Sequence, residues 1–351
     1  MSYIANLAKI ASGQRNLDPR MAIYYVTAQC NLNCAYCEDF GARRNPSQAA
    51  HQPLERAQHI LRVIRSGTDA LWLTGGEPLL APHLLDLLEF AKQELRFRSL
   101  TVISNGTLLP AHPEILPLLD RLVISLDSLD PAAWAALNMP KSYAESILEI
   151  VRETAKEQER HDFKLILNAV ITPENLESEK PDSPLSTFDT LIDFCIQNKT
   201  WISFSPQSVN NWPRYELTVS PAYQAFIQKL IQLKRDGAPI MGSLAYLRTL
   251  ATLEPYDCYP TLIPRILPGG ELEYPCRPIA KAGGEQGGRE INLLDFSSWQ
   301  EAWSAARQRY GEAPVACNSC FQQCYAEPSI IQSRPLETWL ERADLGTFAP
   351  G

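Results

Sequence analysis

Six short apolar runs alternate with longer amphipathic stretches through the first two-thirds of this chain, and that alternation constrains its fold more than any other feature. The runs are AIYYVT (22–27), ALWLT (70–74), LTVIS (100–104), LVISL (122–126), KLILNAVI (164–171) and WISFS (201–205). They are rich in β-branched residues and apolar nearly throughout, as strands covered on both faces are. Between them lie LERAQHILRVIR, PHLLDLLEFAKQEL, PEILPLLD, SYAESILEIVRETAKEQ and STFDTLIDFCIQN, all with helical spacing, and PAYQAFIQKLIQLKRD follows the sixth run. Such repetition requires right-handed βαβ units and a parallel sheet, an α/β fold. Six units are too few for a closed eight-stranded barrel. An open six-unit barrel and a doubly wound sheet both satisfy the periodicity. In either one, ligands gather at the C-terminal ends of the strands, so the residues just past each run are the candidates for chemistry.

The 351 residues are enough for two domains. The segment ENLESEKPDSPLS (174–186) reads as a solvated loop, and beyond about residue 238 Pro and Gly become dense while long helical patterns thin out. The expected division is an N-terminal extension (1–21), a barrel-like domain (22–240) and a small cysteine-rich domain (241–351) closed by the amphipathic helix PLETWLERADL. Net charge is −8, and no Lys/Arg run is dense enough for a nucleic-acid or membrane-surface footprint. With no signal peptide and no apolar run of membrane-spanning length, the expectation is a cytoplasmic protein with no membrane or nucleic-acid partner.

Nine cysteines, an odd number and tightly clustered, point to metal ligands in a reducing compartment rather than to disulfides. Cys195 stands apart on a helical pattern and reads as a buried core thiol. Cys30, Cys34 and Cys37 share the loop CNLNCAYC just after the first run. Structural zinc takes four closed ligands, and the nearest histidine is His51. Three thiolates in one loop suit a cubane iron–sulfur cluster with one iron left open, the other reading being a zinc loop closed by a distant residue. TGGEP (74–78) follows the second run, where Gly75 and Gly76 allow close backbone approach and Glu77 can accept from an ammonium. SNGT (104–107) and SLDS (125–128) put small polar side chains after the third and fourth runs, where capping of the next helix is the plainer role. Asn168 lies inside the fifth run and needs a ligand or a network to be tolerated there.

CNLNCAYC, with Tyr36 at the aromatic position, resembles the C-x3-C-x-aromatic-C signature of the radical S-adenosylmethionine (radical SAM) superfamily, and TGGEP, SNGT and SLDS extend the resemblance over roughly residues 22–236. It implies a partial (β/α)6 barrel whose [4Fe–4S] cluster binds SAM through the open iron. It also implies reductive cleavage of SAM to a 5′-deoxyadenosyl radical, abstraction of a substrate hydrogen, and a reductant such as flavodoxin or ferredoxin. By the same resemblance Gly75, Gly76 and Glu77 meet the SAM amino group, Asn105, Ser125 and Asp127 face its ribose and carboxylate, and Asn168 lies near the ribose. TGGEPLL and VISLDSLDP resemble the molybdopterin-precursor cyclase branch, but that branch's C-terminal cysteine spacing and terminal Gly-Gly do not match, so its activity is not implied.

Cys258 and Cys276 enclose the hairpin-like ILPGGELEYP, and CNSCFQQC adds Cys317, Cys320 and Cys324. These five resemble a SPASM/twitch-type auxiliary domain, which implies one auxiliary [4Fe–4S] cluster. Cys258, Cys276, Cys317 and Cys320 form one ligand set, a set using Cys324 in place of a CxxC member competes with it, and a zinc staple fits the same spacing. The resemblance implies oxidation of a small molecule such as an aminocyclitol alcohol, or modification of a ribosomally made peptide. The short stretch before the first run favours the former. A non-enzymatic Fe–S electron carrier or scaffold is the contrasting reading, and it has no use for an open iron flanked by these motifs. Tyr24, Gln207, Asn210, Trp212 and Tyr215 lie where substrate-facing residues belong, with no acid or base assignable among them.

Overall fold

The computed structural model describes residues 2–40, 51–129, 134, 140–176, 187–209, 212–313 and 320–340. All six expected strands form: β1 (Ala22–Thr27), β2 (Ala70–Gly75), β3 (Ser99–Ser104), β4 (Arg121–Ser125), β5 (Lys164–Ile171) and β6 (Trp201–Pro206). Two-residue strands β7 (Ser208–Val209) and β8 (Trp212–Pro213) form an antiparallel pair. A further strand, β9 (Arg265–Ile266), pairs in parallel with β1. The fold is the expected mixed α/β class of an open, partial barrel. The chain packs as two compact units whose segments interleave, and residue 240 lies within the run Lys164–Cys258 of the second.

In the first unit β9, β1, β2 and β3 run parallel, with Tyr24 opposite Leu73 and Leu71 opposite Leu100. The helix Leu54–Gly67 buries Ala57, Ile60, Leu61, Val63 and Ile64, its one apolar face. Each such side chain contributes roughly 1.5–3 kcal/mol on burial. Gly67 ends that helix where a Cβ would stand 2.3 Å from the Trp299 ring, so only glycine lets the helix Trp299–Tyr310 approach there.

In the second unit β5 and β6 pair in register, Asn168 opposite Ser203. Phe188, Phe204 and Phe226 form an aromatic cluster with ring centroids 4.6–5.3 Å apart, joining the helices Thr187–Gln197 and Pro221–Arg235 to β6. Cys195 is buried on the first of these helices, and burial pushes its thiol up to about 12, as befits an inert core residue.

Three local readings need correction. PEILPLLD gives a 3-10 helix, Pro113–Leu118, with Pro117 inside it, since proline removes the donor an α-helix needs there. PHLLDLLEFAKQEL starts α-helical at Leu84–Glu89 and widens into a π-turn at Phe90–Glu94. Helices do not thin out after residue 238: Leu244–Thr252, Trp299–Tyr310 and Gln323–Ser333 are all present. Ser243 caps the first through the Tyr246 N–H and Ser298 the second through the Glu301 N–H, local signals outweighed in the sequence by nearby Pro and Gly. The ILPGGELEYP hairpin forms, with Ile266 bridged to Leu272. The terminal helix is described over Pro335–Leu340, and the rest of PLETWLERADL lies outside the described residues.

Candidate metal and cofactor site

Strand β1 ends at Thr27 and delivers Cys30, Cys34 and Cys37 on one loop, all three partly exposed. A turn closes the second half of the motif: the Cys37 N–H donates to the Cys34 carbonyl at 3.1 Å, with Tyr36 on the turn. The Cys30 sulfur accepts the Leu32 N–H, and the Cys37 sulfur accepts the Phe40 N–H, each at 3.4 Å. Burial raises the pKa of Cys30, opposed by the Leu32 N–H and the Asn105 side chain, while the charges of Glu77 and Cys37 push it further up. A bound cation would reverse that balance.

The glycine pair of TGGEP lies against this loop. Gly76 N–H donates to Thr27 O at 3.0 Å, and Glu77 N–H to Gln29 O at 2.7 Å. A Cβ on Gly76 would stand 2.1 Å from Gln29 O and 2.9 Å from Cys30 Cβ. A Cβ on Gly75, whose φ is +155°, would stand 2.3 Å from Thr27 O. Two main chains therefore touch where the metal-ligand loop begins, and the glycines are the condition for that contact.

Glu77 is fully buried, and burial raises its pKa against three donors. Oε1 accepts Leu79 N–H at 3.1 Å and Ser104 Oγ–H at 2.8 Å, and Oε2 accepts Asn105 N–H at 2.8 Å. The carboxylate thus ties TGGEP to SNGT. Asn31, between the first two cysteines, completes the frame: Asn105 Nδ2 donates to Asn31 Oδ1 at 2.8 Å, and Asn31 Nδ2 to Thr107 Oγ1 at 2.8 Å. Sequence reasoning missed Asn31. The signal was an amide between ligand cysteines, which has the donors and acceptors for a neighbouring loop.

In the second unit Asp127 is buried, and its Oδ1 accepts Val170 N–H at 2.7 Å. The Ser125 carbonyl accepts the Tyr143 hydroxyl at 3.0 Å. Asn168 obtains the network it needed: Oδ1 accepts Ser203 Oγ–H at 2.9 Å, and its carbonyl accepts Leu126 N–H at 3.0 Å. Ser128 is fully buried.

Residues 24–180 match the radical SAM superfamily. That match takes in the CNLNCAYC, TGGEP, SNGT and SLDS motifs and covers just under half of the chain. The chain is 27% identical over 235 residues to a GTP 3′,8-cyclase of Mycobacterium marinum, covering 65% of this chain and 61% of that one. It is 30% identical over 223 residues to GTP 3′,8-cyclase 2 of Mycobacterium bovis, covering 61% and 58%. The matches thus span about three-fifths of these relatives' length. Among solved structures it is similar to native anSMEcpe with bound AdoMet, with a TM-score of 0.59 and 12% identity over 93% of this chain and 100% of that one, a likeness of fold.

Radical SAM enzymes use a [4Fe–4S] cluster and SAM. The CNLNCAYC loop fits that group: two of its three sulfurs already accept main-chain N–H groups, which is how proteins stabilise cluster thiolates. Among the described residues no three His, Cys, Asp or Glu side chains converge as a cage for one ion. A cubane spreads its ligands over separate irons, so such convergence is not required of three cluster thiolates.

In the second unit Cys258 and Cys320 are buried, and Cys324 is partly exposed at the start of the helix Gln323–Ser333. The Tyr256 hydroxyl donates to the Cys320 carbonyl and the Tyr246 hydroxyl to the Phe321 carbonyl at 3.2 Å. Cys276 is buried in the first unit, at the N-terminal boundary of the helix Arg277–Ala282 and with no capping hydrogen bond from its side chain. Cys317 lies outside the described residues, as does Asn210. Trp212 stacks edge-on against Phe321, 5.5 Å between centroids, and Tyr215 is exposed. No described helix is long and apolar enough to cross a membrane.

The first unit also holds a cavity of about 370 Å³ beside the residues that follow Cys37. Its apolar wall is Tyr25 and Phe40, ring centroids 5.3 Å apart. Arg277, one residue after Cys276, donates to Asp39 at 2.6 Å and to Glu38 at 3.2 Å.

Proposed function

We propose that this chain cleaves SAM reductively and uses the resulting radical to abstract hydrogen from a small molecule. The bound cluster and SAM supply the radical chemistry. The chain's own part is to hold them: Cys30, Cys34 and Cys37 ligate the cluster, while Gly75, Gly76, Glu77 and Asn105 frame the adjoining SAM surface. Ser125, Asp127 and Asn168 are assigned to the SAM ribose and carboxylate. Asp127 and Asn168 each have one amide or carboxylate oxygen engaged by the fold, at Val170 and Ser203, which fixes their orientation.

The cavity beside the cysteine loop carries the small-molecule reading. At about 370 Å³ it falls at the lower end of the range for small-ligand pockets. Glu38, Asp39, Glu271 and Glu273 line it against Arg277, Lys281 and Arg289, four carboxylates to three cations. That excess is unfavourable for a triphosphate, so the relatives' GTP chemistry is not assigned to this chain. We assign an auxiliary [4Fe–4S] cluster of SPASM/twitch type to four of the five cysteines Cys258, Cys276, Cys317, Cys320 and Cys324. The reaction class is an oxidoreductase-type abstraction fed by a flavodoxin- or ferredoxin-like donor.

The test is anaerobic reconstitution with iron and sulfide, followed by SAM and dithionite. 5′-Deoxyadenosine is the expected product, and its absence from fully reconstituted protein sinks the reading. GTP added to the same assay should leave the products unchanged.

A further inference from the structure

Most charges around the cavity already have partners. Arg277 is buried and bonded to both Glu38 and Asp39. Burial works to raise the Asp39 pKa, but the Arg277 guanidinium holds it below the usual carboxylate range. Glu273, 2% exposed, is paired with Arg289. Breaking either pair would strand a buried charge, so neither is available to a ligand.

Two charged groups are held less tightly, Lys281 by ion pairs alone and Glu271 by no side-chain partner among the described residues. Lys281 Nζ lies 3.6 and 3.7 Å from Glu38 and Asp39, beyond hydrogen-bond length, and its side chain is 40% exposed. Glu271 has no side-chain hydrogen bond or ion pair among the described residues. A Cβ at Gly269 would stand 2.2 Å from Glu271 Oε1, so glycine there is what lets the carboxylate fold back over the turn. The charge of Glu271 also acts on the Tyr24 hydroxyl, which is fully buried without a hydrogen-bond partner. One anion with no side-chain partner among the described residues, and one cation held only by long ion pairs to carboxylates that Arg277 already bonds, thus face a small cavity whose apolar wall is Tyr25 and Phe40.

We propose that this cavity binds a zwitterionic small molecule, with an amine against Glu271, an acidic group against Lys281 and its carbon skeleton on Tyr25 and Phe40. As the substrate site it rests on the radical SAM reading above; as a binding site it does not. SAM itself carries an amino-acid end, so the test must separate the two ligands.

Calorimetry on the reconstituted protein saturated with SAM does so, using L-phenylalanine, phenethylamine and 3-phenylpropionate as probes. Phenylalanine should bind about tenfold tighter than either singly charged probe, each lost charge-assisted contact being worth that order. Glu271→Gln should bring phenylalanine down to the affinity of 3-phenylpropionate, and Lys281→Met to that of phenethylamine. Both residues are partly exposed, and unchanged thermal melting confirms that each variant folds. No binding of phenylalanine at millimolar concentration overturns the proposal. So do equal affinities for the three probes, unchanged selectivity in both variants, or displacement of phenylalanine by SAM. Because no turnover is measured, the outcome is independent of 5′-deoxyadenosine formation.

Discussion

The chain's two groups of clustered cysteines are built on opposite principles. Cys30, Cys34 and Cys37 are all partly exposed on a loop, with a buried polar frame of Glu77, Ser104 and Asn105 behind them. Cys258 and Cys320 are buried, and the chain around Cys320 is packed by aromatic rings, Phe321 lying 5.7 Å from Tyr256 and 5.5 Å from Trp212. Cys324, partly exposed like the loop cysteines, is the exception in the second group, so the contrast lies between the loop and the buried pair Cys258 and Cys320. The rigidity comes from different sources too, main-chain contact and hydrogen bonds in one case and apolar packing in the other.

Removing ligands tests the comparison most severely. Replacing Cys30, Cys34 and Cys37 together by Ala should abolish 5′-deoxyadenosine formation and remove about four irons per chain, the content of one cubane. Iron and sulfide analysis with electron paramagnetic resonance then reports the remainder. About four irons left identifies the C-terminal cysteines as a cluster site, whereas zinc in their place sinks the auxiliary-cluster assignment.

Next in size is Gly76→Ala. The added Cβ meets the Gln29 carbonyl at 2.1 Å, and a main-chain oxygen cannot swing aside as a side chain can, so the loop must move away. Cluster loading and SAM cleavage should fall by about tenfold or more, as sub-ångström misplacement at a reacting centre does. Gly13→Ala, whose Cβ meets nothing within 4 Å although its φ is +79°, is the control for backbone strain alone. Equal effects of the two would remove the contact from the explanation.

How much of this was legible beforehand follows the same division. The open loop and the strand ends around it were readable, because ligand spacing and period-2 hydrophobicity are local patterns. Asn31 was not, since its role depends on Asn105 and Thr107, more than seventy residues away in sequence. Nor was the role of Glu77 as a tie between loops. Its type suggested an ammonium partner, whereas three donors from the fold occupy its oxygens. β9 was hidden because two residues give no period, and Arg277 because its carboxylate partners lie at the far end of the sequence.

The packed segment should betray itself through pH. Glu327 is fully buried, and burial pushes its pKa from 4.5 up to about 7, against donors from Gln323 and the Ser243 N–H. The unfolded chain loses this proton near 4.5 and the folded chain near 7, so folding is favoured at the acidic end. Stability should decline as pH rises through that window, by about 3 kcal/mol in all, and level off above it. Glu327→Gln should flatten the slope in denaturant titrations at pH 5, 6, 7 and 8. An unchanged slope would show that the proton is bound elsewhere.

The smallest effect tests the frame of the open loop. Asn31→Ala deletes the acceptor for Asn105 Nδ2 and the donor to Thr107, both at 2.8 Å. Asn31 is exposed, so water replaces it and the cost is about 1 kcal/mol, a few-fold in cluster retention under dilution. Asn31→Asp keeps the acceptor and loses the donor, and it adds negative charge beside the Cys30 thiol, whose pKa burial and then the charges of Glu77 and Cys37 already raise. It should therefore retain the cluster less well than Asn31→Ala. The reverse order would mean that the hydrogen bond to Asn105, rather than the charge near Cys30, governs how firmly the loop is held.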